Sequence, residues 1–250
     1  MRTKWTIVNK ILHDCNLILE ILDARFPEET RNKEIEEKVR RQGKKLIYVI
    51  NKCDLVPKHY LLEMKKKFDP CVFVSARRKY GTSMLYRAIL RTATKENIVV
   101  GVLGYPNTGK SSVINALKGK KSARVSPLAG FTKSVQWVRI SQRVMMMDSP
   151  GVIPFGEKEH LKHVLISAAD YGSVKDPDLM VMDLMKLYKG HIETHYGVKP
   201  NTEHPDKALE EIALKHNKLR KGGVIDTEAM SRIILKDWQQ GRIKKAKLVE

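Results

Sequence analysis

The sequence predicts an α/β fold with a doubly wound, mostly parallel sheet, followed by a small all-helical C-terminal domain. Three observations support this. Short apolar runs alternate with helix-length stretches over the first 150 residues. One of these runs leads through a glycine-rich loop into a helix. After Gly151 the strand pattern stops and only helical periodicity continues.

The apolar runs give the strands. Four of them are continuous, as expected for parallel strands buried on both faces, and two more form a pair joined by a short turn. They cover residues 17–22, 46–50, 71–74, 98–103, 135–140 and 144–147. Crossover helices are predicted between them, at residues 33–41, 60–67, 83–92 and 110–117.

Helices at residues 178–188, 205–216 and 226–240 are predicted for the C-terminal part, with 196–205 as a loop. The last helix has the clearest signals, because Asp226 suits an N-cap and Gly241 a stop. One apolar face is expected on it, formed by Met230, Ile233, Ile234 and Trp238. We therefore expect two domains, at residues 1–160 and 161–250.

The chain is strongly basic. It has 47 Lys and Arg against 28 Asp and Glu, a formal net charge of +19. The first 150 residues hold 30 of these cations and 13 of the anions, so the excess lies on the α/β domain. This favours a polyanionic partner such as RNA. The alternative is a basic surface that only keeps the protein in solution.

Other classes are excluded by simple counts. No run of eighteen apolar residues is present, so no membrane span or membrane partner is expected, and the first fifteen residues lack the apolar core of a signal peptide. The three cysteines, Cys15, Cys53 and Cys71, have no metal-site spacing and are expected to be reduced thiols. These features predict a cytoplasmic protein, and we expect it to be a monomer.

The glycine-rich loop is a phosphate-binding motif. Residues 104–111 read G-Y-P-N-T-G-K-S and follow a predicted strand into a predicted helix. Lys110 is expected to reach the β- and γ-phosphates, and the Ser111 hydroxyl to bind Mg²⁺. Backbone N–H groups at the helix start are expected to surround the β-phosphate. They belong to Asn107, Thr108, Gly109, Lys110, Ser111 and Ser112.

A base-reading motif, N-K-C-D, ends the second strand with Asn51, Lys52 and Asp54. A carboxylate accepts two hydrogen bonds at once, and guanine offers two adjacent donors where adenine offers only one. Asp54 therefore predicts guanine selection, and Asn51 is expected to tie this loop to the phosphate-binding loop. Taken alone, the motif also fits an ordinary turn at a strand end.

Three further segments complete the set. Ser75, Ala76 and Arg77 follow the next strand, and the Ala76 N–H is expected to meet the guanine carbonyl. Asp148 is expected to hold Mg²⁺ through water, and the Gly151 N–H to contact the γ-phosphate. Thr132 is the candidate switch threonine on the metal, or else an ordinary loop residue. The predicted catalytic groups are Lys110, Thr132 and Gly151, and the metal ligands are Ser111, Thr132 and Asp148.

The order of these motifs is unusual. In a guanine-nucleotide switch the phosphate-binding loop normally comes first and N-K-x-D near the end. Here N-K-C-D precedes the phosphate-binding loop by about fifty residues. The domain is therefore predicted to be a circularly permuted P-loop GTPase.

This motif order resembles that of the YlqF/YawG family of circularly permuted GTPases. The segment D-A-R-F-P at residues 23–27 is similar to the family's D-A-R-x-P, and G-G-V-I-D at residues 222–226 is similar to its C-terminal region. The resemblance implies GTP hydrolysis to GDP, a role in assembly of the large ribosomal subunit or its precursor, and contact with rRNA.

The sequence departs from the family in one respect. Bacterial members have a histidine near the start that is implicated in hydrolysis, whereas residues 1–10 here contain none, and His13 lies inside a predicted helix.

Val152 occupies the place where switch GTPases carry a water-orienting glutamine. Slow hydrolysis, stimulated by the ribosome, is expected. Asn107 resembles the asparagine of K⁺-stimulated GTPases, and its alternative role is to stabilise the loop.

Two other function classes stay open. One is a translation or signalling GTPase without an assembly role. The other is an RNA-binding protein that uses GTP only as a structural ligand. A P-loop ATPase is disfavoured because Asp54 does not match adenine.

Overall fold

The computed structural model describes residues 4–118, 136–152, 172 and 174–243. The chain divides into two compact units, Met1–Lys158 and Glu159–Glu250. Each unit is described separately below.

The first unit alternates helices and strands. Its helices are α1 (Lys4–Asp14), α2 (Lys33–Arg41), α3 (Lys58–Lys67), α4 (Thr82–Thr92) and α5 (Lys110–Lys118). Its strands are β1 (Leu17–Asp23), β2 (Lys45–Asn51), β3 (Cys71–Phe73), β4 (Ile98–Leu103), β5 (Gln136–Arg139) and β6 (Val144–Asp148). The predicted strands and crossover helices are confirmed, and their ends differ from the prediction by no more than two residues.

The strands form one sheet in the order β3-β2-β1-β4-β6-β5. Every neighbouring pair is parallel except β5 and β6, which form an antiparallel hairpin. The predicted mostly parallel, doubly wound sheet is therefore confirmed. From β1 the chain winds outward to β2 and β3, and then returns to place β4 on the other side of β1. Ligands of such sheets bind at the carboxyl edge near this reversal.

Helices cover both faces of the sheet. On one face Leu19 and Val49 pack with Leu85 and Ile89 of α4 and with α5. On the other face α1 and α2 pack on the even-numbered residues of β1, while Met64 of α3 and Phe68 just after it pack on β2. All seven residues of β1 are buried as a result, which explains why five of them are Leu or Ile.

The second unit is helical in its described part. It contains α6 (Pro177–Leu187), α7 (His191–His195), α8 (Pro205–Lys215) and α9 (Thr227–Gln239). Asp226 caps α9 as predicted, because its carboxylate accepts a hydrogen bond from the Ala229 N–H at 3.0 Å. The short helix α7 was not predicted. No helix among the described residues is both long and apolar enough to span a bilayer.

The predicted apolar face of α9 was wrong in one position. Met230, Ile234 and Trp238 are buried as expected, but Leu235 is fully buried and Ile233 only half-buried. The reason is that α9 packs against both α6 and α8, so its buried stripe is wider than a single neighbour would require.

Glu20 is a buried carboxyl group in the middle of β1. Its Oε1 accepts a hydrogen bond from the Asn32 N–H at 2.7 Å, where Asn32 caps α2. Burial raises the pKa of Glu20 from 4.5 to about 8, and the nearby charge of Glu36 raises it further. Glu20 therefore keeps its proton in the folded protein at neutral pH, while the unfolded chain loses it.

A pH dependence follows from this difference. Since the unfolded chain ionises Glu20 above pH 4.5 and the folded protein only near pH 8, the free energy of unfolding falls between these values. The slope for one proton is at most about 1.4 kcal/mol per pH unit. We predict that Glu20→Gln removes this part of the dependence in urea titrations across that range.

The matched control is Glu37→Gln, which changes a partly exposed carboxylate on α2 that pairs with Arg41. It is expected to leave the pH profile of the wild type nearly unchanged. Parallel profiles for wild type and Glu20→Gln would show that Glu20 is ionised in the folded protein.

Candidate nucleotide site

The described members of the predicted site lie at one edge of the sheet, on strand ends and the segments that follow them. Because β1, β2, β3, β4 and β6 are parallel, their carboxyl ends share this edge. The sheet order arranges the loops in sequence, from S-A-R after β3 through N-K-C-D after β2 and D-A-R after β1, to the phosphate-binding loop after β4 and D-S-P-G after β6. The base-reading loops are therefore at one end and the phosphate and metal groups at the other.

Asn51 joins three of these loops. Its Nδ2 donates to the Thr108 carbonyl oxygen at 2.9 Å, and its Oδ1 accepts from the Ala76 N–H at 3.2 Å. The side chain is buried, with 2% of the residue exposed. The expected link between base-reading loop and phosphate-binding loop is thus present. The Ala76 N–H, predicted to face guanine, is bonded to Asn51 in this structure.

Gly109 allows this contact. Its φ is +96°, a conformation that side chains strongly disfavour. A Cβ added there would also lie 2.3 Å from Asn51 Nδ2, well inside contact distance. The second glycine of the motif therefore serves the link to Asn51 as well as the shape of the loop.

Lys110 folds back over its own loop. Its Nζ donates to the carbonyl oxygens of Gly104 at 3.0 Å and Tyr105 at 2.6 Å, and only 7% of the residue is exposed. The ammonium group is held at the concave side of the loop, where an anion would meet it. Asn107 shapes the loop with a φ of +58°, and Ser112 lies half-buried on the first turn of α5.

Ser111 and Asp148 form the candidate metal site. The Ser111 Oγ donates to Asp148 Oδ2 at 2.6 Å. Asp148 Oδ1 is buried and has no hydrogen-bond partner among the described residues. Burial raises the pKa of Asp148, whereas the hydrogen bond from Ser111 and the charge of Lys110 lower it. A buried oxygen without a donor fits a cation.

The chemistry of this pair matches Mg²⁺. In the part of the chain that the structure describes, no group of three His, Cys, Asp or Glu side chains surrounds a common point. Magnesium does not need one, since it commonly takes one or two protein oxygens and fills its octahedron with water and phosphate oxygens. Ser111 and Asp148 would be those two groups.

The D-S-P-G segment packs directly on the phosphate-binding loop. A Cβ on Gly151 would lie 2.6 Å from Pro106 Cα, so only glycine fits there. The Val152 N–H donates to the Gly104 carbonyl oxygen at 3.2 Å. The Val152 side chain is fully buried against Leu103 and Met147, so it points into the core.

The base-reading carboxylate has a basic neighbour. Lys52 adopts a φ of +60° and starts a short 3-10 turn, Cys53–Leu55, which holds Asp54 at the sheet edge. Arg78 Nε lies 3.4 Å from Asp54 Oδ2, and 12% of the Asp54 side chain is exposed. Arg78 was not predicted, although it directly follows S-A-R. Arg77 is exposed on the same turn.

The comparisons with known proteins agree with this geometry. Residues 99–221 match the family described as 50S ribosome-binding GTPase. A GTP-binding protein of Methanocaldococcus jannaschii is 41% identical over 244 residues, covering 95% of this chain and 65% of that protein. Nucleolar GTP-binding protein 2 of Saccharomyces cerevisiae is 34% identical over 256 residues, covering 96% of this chain and 52% of that protein.

Solved structures show the same fold. GNP-bound YlqF from T. maritima superposes with a TM-score of 0.69 at 22% identity, covering 95% of this chain and 94% of that one. The chain therefore has the fold of YlqF, a circularly permuted GTPase. It spans about half to two thirds of the length of the curated relatives it matches.

The D-A-R segment is an anchor for the base-reading loop. Asp23 is fully buried and accepts two hydrogen bonds from the Arg25 guanidinium, at 3.0 and 2.7 Å, and one from Lys52 Nζ at 2.7 Å. Burial raises the pKa of Asp23, but the charges of Arg25 and Lys52 outweigh it and hold the pKa well below its usual range. The spacing of Asp23 and Lys52 in the sequence does not indicate that their side chains are in contact.

Two further residues that the sequence analysis considered are Thr132 and His13. Thr132 is outside the described residues, so its role on the metal stays a prediction. His13 lies in the last turn of α1, and its carbonyl oxygen accepts a hydrogen bond from Lys44 Nζ, just before β2. It therefore lies at the amino edge of the sheet, away from the phosphate-binding loop, as expected for a residue without a catalytic role.

The amide of Asn51 gives a direct test of the site. We predict that Asn51→Ala lowers the affinity for GDP at least about tenfold, since two buried loop contacts are lost together. Affinity is measured by titration calorimetry in the presence of Mg²⁺. Asn16→Ala is the matched control, because Asn16 Oδ1 accepts from the Val99 N–H at 2.7 Å at the opposite sheet edge. An equal loss of affinity in both variants would contradict a local role.

Proposed function

We propose that this protein binds GTP with Mg²⁺ and hydrolyses it to GDP and phosphate, slowly when alone, during assembly of the large ribosomal subunit. The observation that carries the proposal is the Asn51 side chain, which joins the N-K-C-D loop to the phosphate-binding loop. This contact supports one pocket for one guanosine nucleotide.

The proposed roles follow the order of loops along the sheet edge. Asp54 accepts the two guanine donors, and Ala76 with Asn51 lines the other edge of the base. Lys110 exchanges its carbonyl partners for phosphate oxygens, aided by the N–H groups of α5. Ser111 and Asp148 would hold Mg²⁺, with Thr132 as a further ligand. Bound Mg²⁺ would neutralise charge that develops on the phosphate oxygens.

Slow hydrolysis is proposed because the residue after Gly151 cannot orient water. Val152 stands where switch GTPases place a glutamine, and its side chain is buried in the core. The Gly151 N–H is the remaining protein group proposed for the γ-phosphate. A donor or a cation supplied from outside would complete the site, and Asn107 is the proposed K⁺ ligand.

Two observations support a ribosomal role, namely the names of similar proteins and the net charge of the chain. The matching family is described as 50S ribosome-binding, and several relatives are named nucleolar GTP-binding proteins. The net charge of +19 suits rRNA as a partner in the large subunit or its precursor. We propose that the protein acts as a monomer in the cytoplasm, with GTP or GDP bound.

The activity is tested by GTP turnover with and without large ribosomal subunits, in K⁺ and in Na⁺ buffers. We predict a rate that rises at least about tenfold with subunits, because an external group completes the water-orienting set. Higher rates in K⁺ than in Na⁺ would support Asn107 as a cation ligand, and equal rates would remove that role.

Other outcomes select the alternatives. Stimulation by mature subunits but not by precursor subunits favours a translation GTPase. Absence of single-turnover hydrolysis with both kinds of subunit favours an RNA-binding protein that uses GTP only as a structural ligand. Fast turnover by the isolated protein would contradict the need for activation.

Base selection is tested by Asp54→Asn. The amide replaces one acceptor by a donor, which matches the carbonyl of xanthine and mismatches the N–H of guanine. We predict that the variant prefers xanthosine triphosphate over GTP in binding competition, while wild type shows the reverse. Unchanged preference in the variant would place guanine recognition elsewhere. Glu63→Gln on the exposed side of α3 serves as the control.

A further inference from the structure

One surface of the α/β unit is rich in exposed Lys and Arg side chains. Residues 70–95 contain six Lys or Arg and no Asp or Glu. The structure arranges most of these side chains on one exposed strip, which we call the basic ridge. It comprises Arg77, Lys79, Arg87, Arg91 and Lys95, with Arg143 at its far end.

The ridge begins in a tight turn beside the base-reading loop. The backbones of Ser75 and Tyr80 exchange two hydrogen bonds, at 3.0 and 3.1 Å, so residues 76–79 form a closed four-residue loop. Arg77 and Lys79 are exposed on it, and Arg78 between them contacts Asp54. The start of the ridge therefore adjoins the proposed guanine pocket.

The ridge continues along α4. Leu85 and Ile89 are buried and fix the inner face of this helix, so Arg87 and Arg91, about half a turn away around the axis, face solvent. Eleven helical residues extend about 16 Å, and Lys95 lies just beyond the end of α4. The ridge is thus long enough to contact several phosphates of one strand.

The hairpin of β5 and β6 extends the ridge. Tyr86 on α4 donates its hydroxyl to Ser141 Oγ at 3.0 Å. Arg143 in the same turn donates to the Glu96 carbonyl oxygen at 3.3 Å and stays exposed. The Arg143 side chain therefore lies beside the chain segment that follows α4.

Helix α2, on the opposite face of the sheet, differs from α4 in the pairing of its charges. On α2, Lys38 pairs with Glu34 at 3.4 Å and Arg41 with Glu37 at 2.6 Å, as on an ordinary solvated helix. Among the described residues, no carboxylate pairs with the ridge cations of α4. The unpaired cations of α4, in contrast to the paired ones of α2, indicate a surface for an anionic partner.

The chemistry of the ridge favours nucleic acid over protein. Protein interfaces bury a largely apolar centre, whereas here only Tyr80 and Met84, 60% and 54% exposed, interrupt the cations. A run of exposed cations matches a phosphate backbone, and an exposed tyrosine ring can stack on a base. We propose that the basic ridge binds the phosphate backbone of RNA, which rests on the proposed ribosomal function and names the surface that serves it.

The test compares two triple variants with the same change of charge. Arg87→Gln, Arg91→Gln and Lys95→Gln neutralise the ridge. Lys65→Gln, Lys66→Gln and Lys67→Gln neutralise exposed cations at the end of α3, on the opposite face of the sheet. The probe is a fluorescein-labelled RNA duplex of about 20 base pairs, titrated by anisotropy at about 0.05 to 0.3 M KCl with GDP and Mg²⁺ present.

The ridge variant is expected to bind RNA at least about tenfold more weakly at 0.1 M salt, and its slope of log affinity against log salt to be smaller by about 2 to 3. The α3 variant is expected to change the slope by less than about 1. Equal weakening in both variants, or in neither, would overturn the proposal. Unchanged GDP affinity and circular dichroism confirm that the fold is intact.

Two further outcomes separate the proposals. Binding of polyglutamate as tight as that of RNA, and lost in the ridge variant, would overturn the choice of RNA in favour of an acidic protein partner. If the ridge variant binds RNA like wild type while large subunits still stimulate GTP turnover, the ridge is excluded and the proposed function stands. If wild type binds no RNA and subunits do not stimulate turnover, both fail.

Discussion

The side-chain amide of Asn51 is the contact on which the nucleotide site depends. It bonds Thr108, 57 positions away, through its donor and Ala76, 25 positions away, through its acceptor. Only an amide provides both at this size, since a carboxylate would lose the donor. The contact also needs Gly109, where a Cβ would collide with the amide. Three loops from three strands are held in one geometry by this side chain.

The sheet explains why the reversed motif order does not matter for the site. Each motif follows the carboxyl end of a parallel strand, so its place is set by strand position and not by chain position. Asp23 completes the arrangement from the central strand, because its buried carboxylate holds Lys52 in place. The candidate metal ligands lie at the far end, where Asp148 Oδ1 has no hydrogen-bond partner among the described residues.

Strands and motifs could be predicted because their signals are local. A strand buried on both faces is apolar throughout, and a phosphate-binding loop has its own spacing. Contacts between distant loops have no such signature. The pairing of Asp23 with Lys52, and of Arg78 with Asp54, depends on which strands are neighbours. The basic ridge likewise becomes visible only when Leu85 and Ile89 define the inner face of α4. The one wrong position on the apolar face of α9 has the same origin, since two neighbouring helices widen its buried stripe.

The central claim is that the N-K-C-D loop and the phosphate-binding loop form one pocket for one guanine nucleotide. Hydrogen–deuterium exchange with and without GDP and Mg²⁺ tests it most directly, because it reports every loop in the same experiment. A single shared pocket predicts simultaneous protection of peptides covering residues 51–55, 75–78 and 104–112 at the same GDP concentration. Protection of residues 104–112 alone, with the base-reading loops unchanged at saturating GDP, would contradict it.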